Sequence, residues 1–284
     1  MLQADIHILY QSDFYKIVNY TCHCNFCSIS EAEYNDSFNI SFIKRGFFEY
    51  RTFRRNEEAH TGRILISKPG FEHTTRHVDH QPDVTITIEF KKEFFNELEK
   101  RYGPATKWWI MNNDIHSLLI YSNAELEYLL YNMLQLLATG AASALEIDEQ
   151  VIMILERIID FLSNFAQPIV AAENLKQYHL PTVEAAQDYM LNHFRKNISL
   201  QQLAQFCHVS PFHFSRIFKN LLNISPHQYL SSVRLSHART LLKTTGLPVK
   251  DIAFECGFNS PEHFVTSYKM NFLERPRDIR RQSA

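Results

Sequence analysis

The chain has 284 residues, 45% of them apolar and 21% charged. That fits two soluble globular domains and excludes a disordered polymer. No apolar run approaches the ~18 residues that cross a bilayer, and "MLQADIHILYQSD" lacks the basic start and small-residue cleavage site of a secretion signal. The expectation is a cytoplasmic protein with no membrane partner, whose five cysteines are thiols. The net charge of −2 hides an asymmetry. Residues 181–284 carry 13 Lys+Arg against 7 Asp+Glu, and the rest carries 16 against 24. A basic C-terminal third behind an acidic front suggests a nucleic-acid-binding unit carried by something else.

The front part reads as strands. In "VTITIEF" (Val84 to Phe90) Val84, Ile86, Ile88 and Phe90 share one face and Thr85, Thr87 and Glu89 the other, the pattern of a half-buried strand. "FNISF" (Phe38 to Phe42), "RGFFEYRTF" after Gly46, and "GRILIS" (Gly62 to Ser67) are further β runs, while "RRNEEAH" (Arg54 to His60) reads as a solvated hairpin turn. Short strands at this spacing predict a sandwich or small barrel.

Next the period changes. Leu126, Leu129, Leu130, Met133 and Leu137 form a helical stripe that Gly140 would stop. A second stripe runs through Ile147, Val151, Ile154, Leu155, Ile158, Leu162 and Phe165 to Pro168. These helices would pack on the β domain or on the same helices of a second chain. "IVAAENLKQYHLP" (Ile169 to Pro181) has no clean period and reads as a linker. Helix then resumes at Thr182 with a capping residue, and "SPHQYLSSVRLSHARTLLKTTG" reads as a long helix capped by Ser225, with Pro226 in its first turn.

On either side of that helix the chain nearly repeats itself. "SLQQLAQFCHVSPFHFSRIFKN" and "VKDIAFECGFNSPEHFVTSYKM" align over some twenty residues. Leu203-Ala204 pairs with Ile252-Ala253, Cys207 with Cys256 and Val209 with Phe258. After one inserted residue, Phe214 pairs with Phe264 and Phe218 with Tyr268. Each copy reads as a short helix with a small inward Ala, a turn plugged by one apolar residue, and a second helix capped by Ser with Pro first. That is a helix-turn-helix. The outward positions of the first copy are Phe212, His213, Ser215, Arg216 and Lys219; those of the second are Pro261, Glu262, His263, Val265, Thr266 and Lys269. Such a face can lie in the major groove, and two of them on one helix would enter successive grooves roughly 34 Å apart.

These residues ("SLQQLA", "SPFHFSRIFK", "SPHQYL", "VRLSHARTLL", "IAFECGF" and "SPEHF") resemble the AraC/XylS family of transcription regulators over the last hundred positions. The resemblance implies that Phe212, Ser215 and Arg216, with Pro261, Glu262, Val265 and Thr266, stand where the family meets bases. It also implies promoter DNA, a homodimer, a small-molecule effector and RNA polymerase as partners, and an activator. The chain departs from the family with Thr266 where Arg is common, and with Asn223 and Leu273 where Gly is common. Leu tolerates a left-handed residue poorly, so the second copy is expected to read bases weakly. The tail Arg275, Arg277, Arg280 and Arg281 would contact phosphates or simply be solvated.

"GRILISKPGFEHTTRH" resembles the cupin-like sensor half of the same family, with His73 at its "PG-x-x-H" turn. "DSFNISF" stands where a metal cupin would have His-x-His, so His73 is read as part of a polar pocket or as a core histidine. "TCHCNFCS" places Cys22, Cys24 and Cys27 within six residues. With His77 and His80 these are the candidate ligands for zinc, the one cofactor the sequence suggests. Ordinary thiols and a reversible disulfide stay open as alternatives. The reading is therefore a multidomain α+β chain. A cupin-like β-sandwich or barrel spans 1–105, a helical dimerisation segment 106–168, a linker 169–181, and an all-α DNA-binding domain with two helix-turn-helix units 182–284. No catalytic triad or phosphate-binding glycine loop is present. The alternatives to an effector-responsive regulator are a metal-dependent cupin enzyme fused to a DNA-binding domain, or a DNA-binding protein that answers to no effector.

Overall fold

A computed structural model describes residues 4–23, 29–52, 55–77, 83–110, 112–164 and 179–282. The chain forms two compact units, Met1–Ser122 with Met133–Glu184, and Asn123–Asn132 with Ala185–Ala284.

The first unit is built on two antiparallel sheets. One has the strand order β1(Ala4–Gln11), β2(Tyr15–Cys22), β9(Val84–Phe90), β4(Phe38–Arg45), β7(Arg63–Ser67), β10(Ser117–Tyr121). The other has the order β3(Glu33–Asn35), β8(Phe71–His77), β5(Phe47–Thr52), β6(Arg55–His60). The sheets enclose a cavity of about 490 Å3 lined from both.

The alternation in β9 is real, but neither face meets bulk water. Thr85, Thr87 and Glu89 are buried and line the cavity, as do Asn39 and Ser41 of β4 and Ser67 of β7. The apolar face carries Ile17, Ile40, Ile64, Ile66 and Ile88, all fully buried. It packs against helices α1(Lys92–Ile110) and α3(Ala144–Asn164). The Phe38 ring lies 5.2 Å from Phe95 and 6.0 Å from Trp109, and the Tyr15 hydroxyl donates to Asp148 at 2.5 Å. Much of the core of this unit therefore lies outside the sandwich, between sheet and helices, while between the sheets a smaller apolar cluster of Ile43, Phe48, Tyr50, Ala59 and Leu65 adjoins the polar side chains of the cavity.

The described part of "RRNEEAH" is a strand, not a turn. Residues Arg55 to His60 pair with β5 along their whole length, and His60 is buried. On this edge strand Asn56 and Glu58 share the exposed face and Arg55 and Glu57 the less exposed one. Both predicted helical stripes form, in α2(Ala124–Thr139) and α3. From Leu126 to Met133 and from Ile147 to Leu162 their apolar positions are buried in the chain itself; Phe165 and Pro168 lie outside the described residues.

The second unit is helical. α4(Leu180–His193) begins two residues before the expected Thr182 cap, because Pro181 sits in its first turn, where a missing N–H costs little. α5(Leu200–Phe206), α6(Pro211–Leu222), α7(Pro226–Thr244), α8(Val249–Glu255), α9(Pro261–Phe272) and α10(Pro276–Gln282) follow. Among the described residues no helix is long and apolar enough to cross a membrane.

Candidate nucleic-acid interface and β-domain cavity

Both helix-turn-helix units form where the repeat puts them, and the same local devices set each. In the first, Ser199 and Gln202 make a reciprocal capping box on α5, and the Ser210 hydroxyl accepts from the His213 backbone N–H at the start of α6. In the second, Ser260 caps α9 through the His263 N–H in the same way. Pro211 and Pro261 occupy the first turns. The corners match bond for bond. Val209 N–H donates to Ala204 O, and Phe258 N–H donates to Ala253 O, each at 3.0 Å. Asn259 is the inserted residue.

The inward residues are buried as the pattern requires. Ala204, Phe214 and Phe218 are fully covered, as are Ala253, Phe264 and Tyr268. The methyl-sized Ala lets α5 and α8 approach their second helices closely. Phe218 meets Tyr229 of α7 edge-on at 5.6 Å, and Phe264 meets Phe258 at 5.2 Å. Cys256 is buried and Cys207 half-buried. Burial raises the Cys207 thiol above its ordinary value and, with Glu255 nearby, pushes Cys256 up to about 12. Both are packing groups rather than reactive thiolates.

Every position expected to face DNA is at the surface. Phe212, Arg216 and Lys219 are exposed and His213 and Ser215 half-buried on α6. Glu262, His263, Val265, Thr266 and Lys269 are exposed on α9, with Pro261 half-buried. Phe212 is 80% exposed, a large apolar side chain that folding leaves in water. Beside α9 runs a groove whose basic lining is Lys250, Lys269, Arg275 and Arg277. Lys250 and Met270, which also lines it, were not singled out by the sequence; only the folded position of α8 brings Lys250 there. Arg280 instead donates to the Leu247 carbonyl and ties α10 to the loop before α8. The side chain of Arg281 lies outside the described residues.

The cavity of the first unit has its own chemistry. His73 lines it, its ring 4.7 Å from Tyr50 and its Nε2 3.8 Å from Glu33. Its Nδ1 is buried without a hydrogen-bond partner, and burial lowers its pKa. This is the polar-pocket reading, not a satisfied core histidine. Burial likewise raises Glu33. Of the candidate metal ligands, Cys22 at the end of β2 and His77 at the end of β8 come together with Asp83, one ligand atom of each lying within 4.8 Å of the others. Cys24, Cys27 and His80 lie outside the described residues. Asp83 escaped the sequence reading because its closeness to Cys22 follows from strand register: Thr21 pairs with Val84, so Cys22 falls opposite Asp83.

Two capped helix-turn-helix units flanking one long helix define a double helix-turn-helix DNA-binding domain. The comparisons agree. The helix-turn-helix domain family matches residues 203–282. The HTH-type transcriptional activator RhaS of Klebsiella pneumoniae is 37% identical over 92 residues, 32% of this chain and 33% of that protein. The HTH-type regulator YijO of Escherichia coli is 34% identical over 99 residues, 35% of each chain. The crystal structure of a transcriptional regulator of the AraC-type DNA-binding class from Chromobacterium violaceum is 33% identical, covering 37% of this chain and 93% of that one, with a TM-score of 0.35. Over residues 203–282 the chain is thus similar to helix-turn-helix regulators of the AraC/XylS type. It spans about a third of the length of the first two curated relatives.

Proposed function

We propose that the protein is a cytoplasmic, sequence-specific DNA-binding transcription regulator, not an enzyme, whose β domain answers to an effector. One observation carries this reading: two copies of the same capped helix present exposed faces on either side of α7. Arg216 reads a base edge in the first copy, since a guanidinium meets guanine bidentately. Lys219, Lys250, Lys269, Arg275 and Arg277 supply phosphate contacts that position the domain. The second copy, with Glu262 and Thr266 outward, contributes more to positioning than to reading.

The polar cavity between the sheets takes a small effector, held by Glu33, Glu89, Asn39 and Tyr20. The effector acts by favouring one domain arrangement over another, to the extent of its differential affinity for the two. A homodimer on promoter DNA, and activation through RNA polymerase, complete the proposal. Leu145 and Ile152, seven residues apart on α3 and exposed, support a subunit contact there.

The test is selection of bound sequences from a random duplex pool by the full chain, then titration of the enriched site at rising salt. A recurring motif, with affinity falling steeply as salt rises, is expected. Folded protein that enriches no motif would refute sequence-specific recognition.

A further inference from the structure

The rim of the β-sandwich holds three side chains that nothing in the DNA-binding reading uses. Cys22 ends β2 and Asp83 immediately precedes β9, so both stand on the six-stranded sheet, where Cys22 N–H donates to Asp83 O at 3.0 Å. His77 ends β8 in the four-stranded sheet, opposite Phe48 of β5. A donor atom from each of the three lies within 4.8 Å of the other two.

Their surroundings leave His77 and Asp83 badly served. His77 and Asp83 side chains are 8% and 9% exposed. His77 Nδ1 stands 2.5 Å from Asp83 Oδ1, yet neither atom makes a hydrogen bond of sound geometry, and His77 Nε2 is buried without any partner. An imidazole with both nitrogens buried and without a hydrogen bond is costly. Other buried polar atoms of this unit also lack partners, Asn39 Oδ1 and His73 Nδ1 among them, but among the described residues His77 is the one imidazole with both ring nitrogens in that state. A cation set among the sulfur, a ring nitrogen and a carboxylate oxygen would satisfy the buried atoms at once.

We propose that Cys22, His77 and Asp83 bind a zinc-type divalent cation. The donor set decides the class. One sulfur, one imidazole nitrogen and one carboxylate oxygen suit a borderline-soft ion that accepts four-coordinate geometry. Calcium and magnesium, which take oxygen ligands, do not fit it. Zinc–ligand bonds of about 2.0–2.3 Å place tetrahedral donors roughly 3.3–3.8 Å apart, so the present spacing closes on an ion with small side-chain movements. Two of the ligands come from one sheet and the third from the other, so the ion clasps the open rim of the sandwich. All three side chains also line the 490 Å3 cavity. Three protein donors leave one coordination position, as in zinc sites that exchange a ligand. The site rests on its geometry and stands whether or not the chain reads DNA.

The test uses the full chain without a histidine tag, purified under reducing conditions, stripped with a chelator and reloaded with Zn(II) or Co(II). Metal per chain is measured by mass spectrometry, and the thiolate-to-Co(II) charge-transfer band by absorption. One ion per chain, with that band present, is expected. Cys22→Ser should abolish the band, and His77→Gln and Asp83→Asn should each weaken Zn(II) binding at least tenfold, with circular dichroism unchanged. The Cys24→Ser/Cys27→Ser double variant should keep the band. Wild-type protein that takes up no metal, or takes it up without a thiolate band, overturns the proposal with no variant needed. So does a band that survives Cys22→Ser and disappears in the double variant.

Discussion

Asn223 and Leu273 stand fifty residues apart and close their helices in the same left-handed conformation, with φ of 59° and 60°. Asn adopts that conformation at modest cost; Leu does not, because its Cβ crowds the following carbonyl. Leu273 is also 89% exposed, so no packing compensates. Leu273→Gly is therefore expected to stabilise the C-terminal unit, despite the extra freedom glycine gives the unfolded chain. The net gain should be about 0.5–1 kcal/mol, read as a higher urea midpoint at unchanged slope. A lower midpoint would show that the Leu273 side chain contributes something its exposure conceals.

The turn inside the second unit is less forgiving. Gly257 has φ 81°, and a Cβ placed on it would lie 2.8 Å from Arg195 O and 2.9 Å from Phe194 O. Both are backbone atoms, so the clash cannot be relieved by turning a side chain. Gly257→Ala should cost about 2 kcal/mol or more, from strain and overlap together. The first copy has His208 at the matching turn, φ 56° and exposed. His208→Ala should change stability by less than about 1 kcal/mol, since one non-glycine residue replaces another there. Comparable losses at the two positions would contradict the close approach at Gly257.

What the sequence discloses divides along a physical line. The helix-turn-helix units are written in local signals: a capping Ser at 210 and 260, a Pro after each, an Ala at 204 and 253, aromatics four apart. Each acts within one or two turns and needs no knowledge of the rest of the chain. The β unit depends on distant pairings. Thr85, Thr87 and Glu89 look solvent-facing along β9, yet they face a cavity that exists only because a second sheet closes over them. α1 runs through Gly103-Pro104 to Ile110, although such a pair ordinarily punctuates a helix. β10 joins β7 although residues 68–116 intervene. Of the metal cluster, Cys22 and His77 are visible by residue type, but Asp83 becomes a partner only through register.

His237 gives the second unit a pH dependence. Its Nδ1 lies 2.6 Å from the Tyr128 hydroxyl and its Nε2 3.3 Å from the Arg195 guanidinium. Burial, with Arg195 beside it, pulls its pKa from 6.5 down to about 4. The unfolded chain therefore takes up a proton between about pH 6.5 and 4 that the fold refuses. The contribution is fully present above 6.5 and is lost as pH falls through that window. It is on the order of 2 kcal/mol, allowing for partial exposure. His237→Gln removes the titration, so its stability should fall less steeply than wild type between pH 7 and 4.5. Parallel pH profiles for the two proteins would mean that His237 protonates in the fold without penalty.

If the exposed helix faces meet DNA as proposed, two substitutions, one in each helix-turn-helix copy, should split base reading from positioning. Arg216 is exposed on α6, flanked by Phe212 and Lys219. If it meets a base edge, Arg216→Ala should cost about 1–3 kcal/mol on the selected site and relax the preference at one base position. Lys250 sits at the start of α8, lining the basic groove beside α9 with Lys269, Arg275 and Arg277. A lysine in such a row neutralises phosphate and carries no sequence information. Lys250→Ala should therefore weaken specific and non-specific duplexes alike, and lower the slope of log K against log salt by about 1. Anisotropy titrations of both variants, on the selected site and a scrambled one at three salt concentrations, measure all four quantities. If Arg216→Ala weakens both duplexes equally, the side chain is a phosphate contact, and sequence reading must rest on Phe212 and Ser215 or on the second helix.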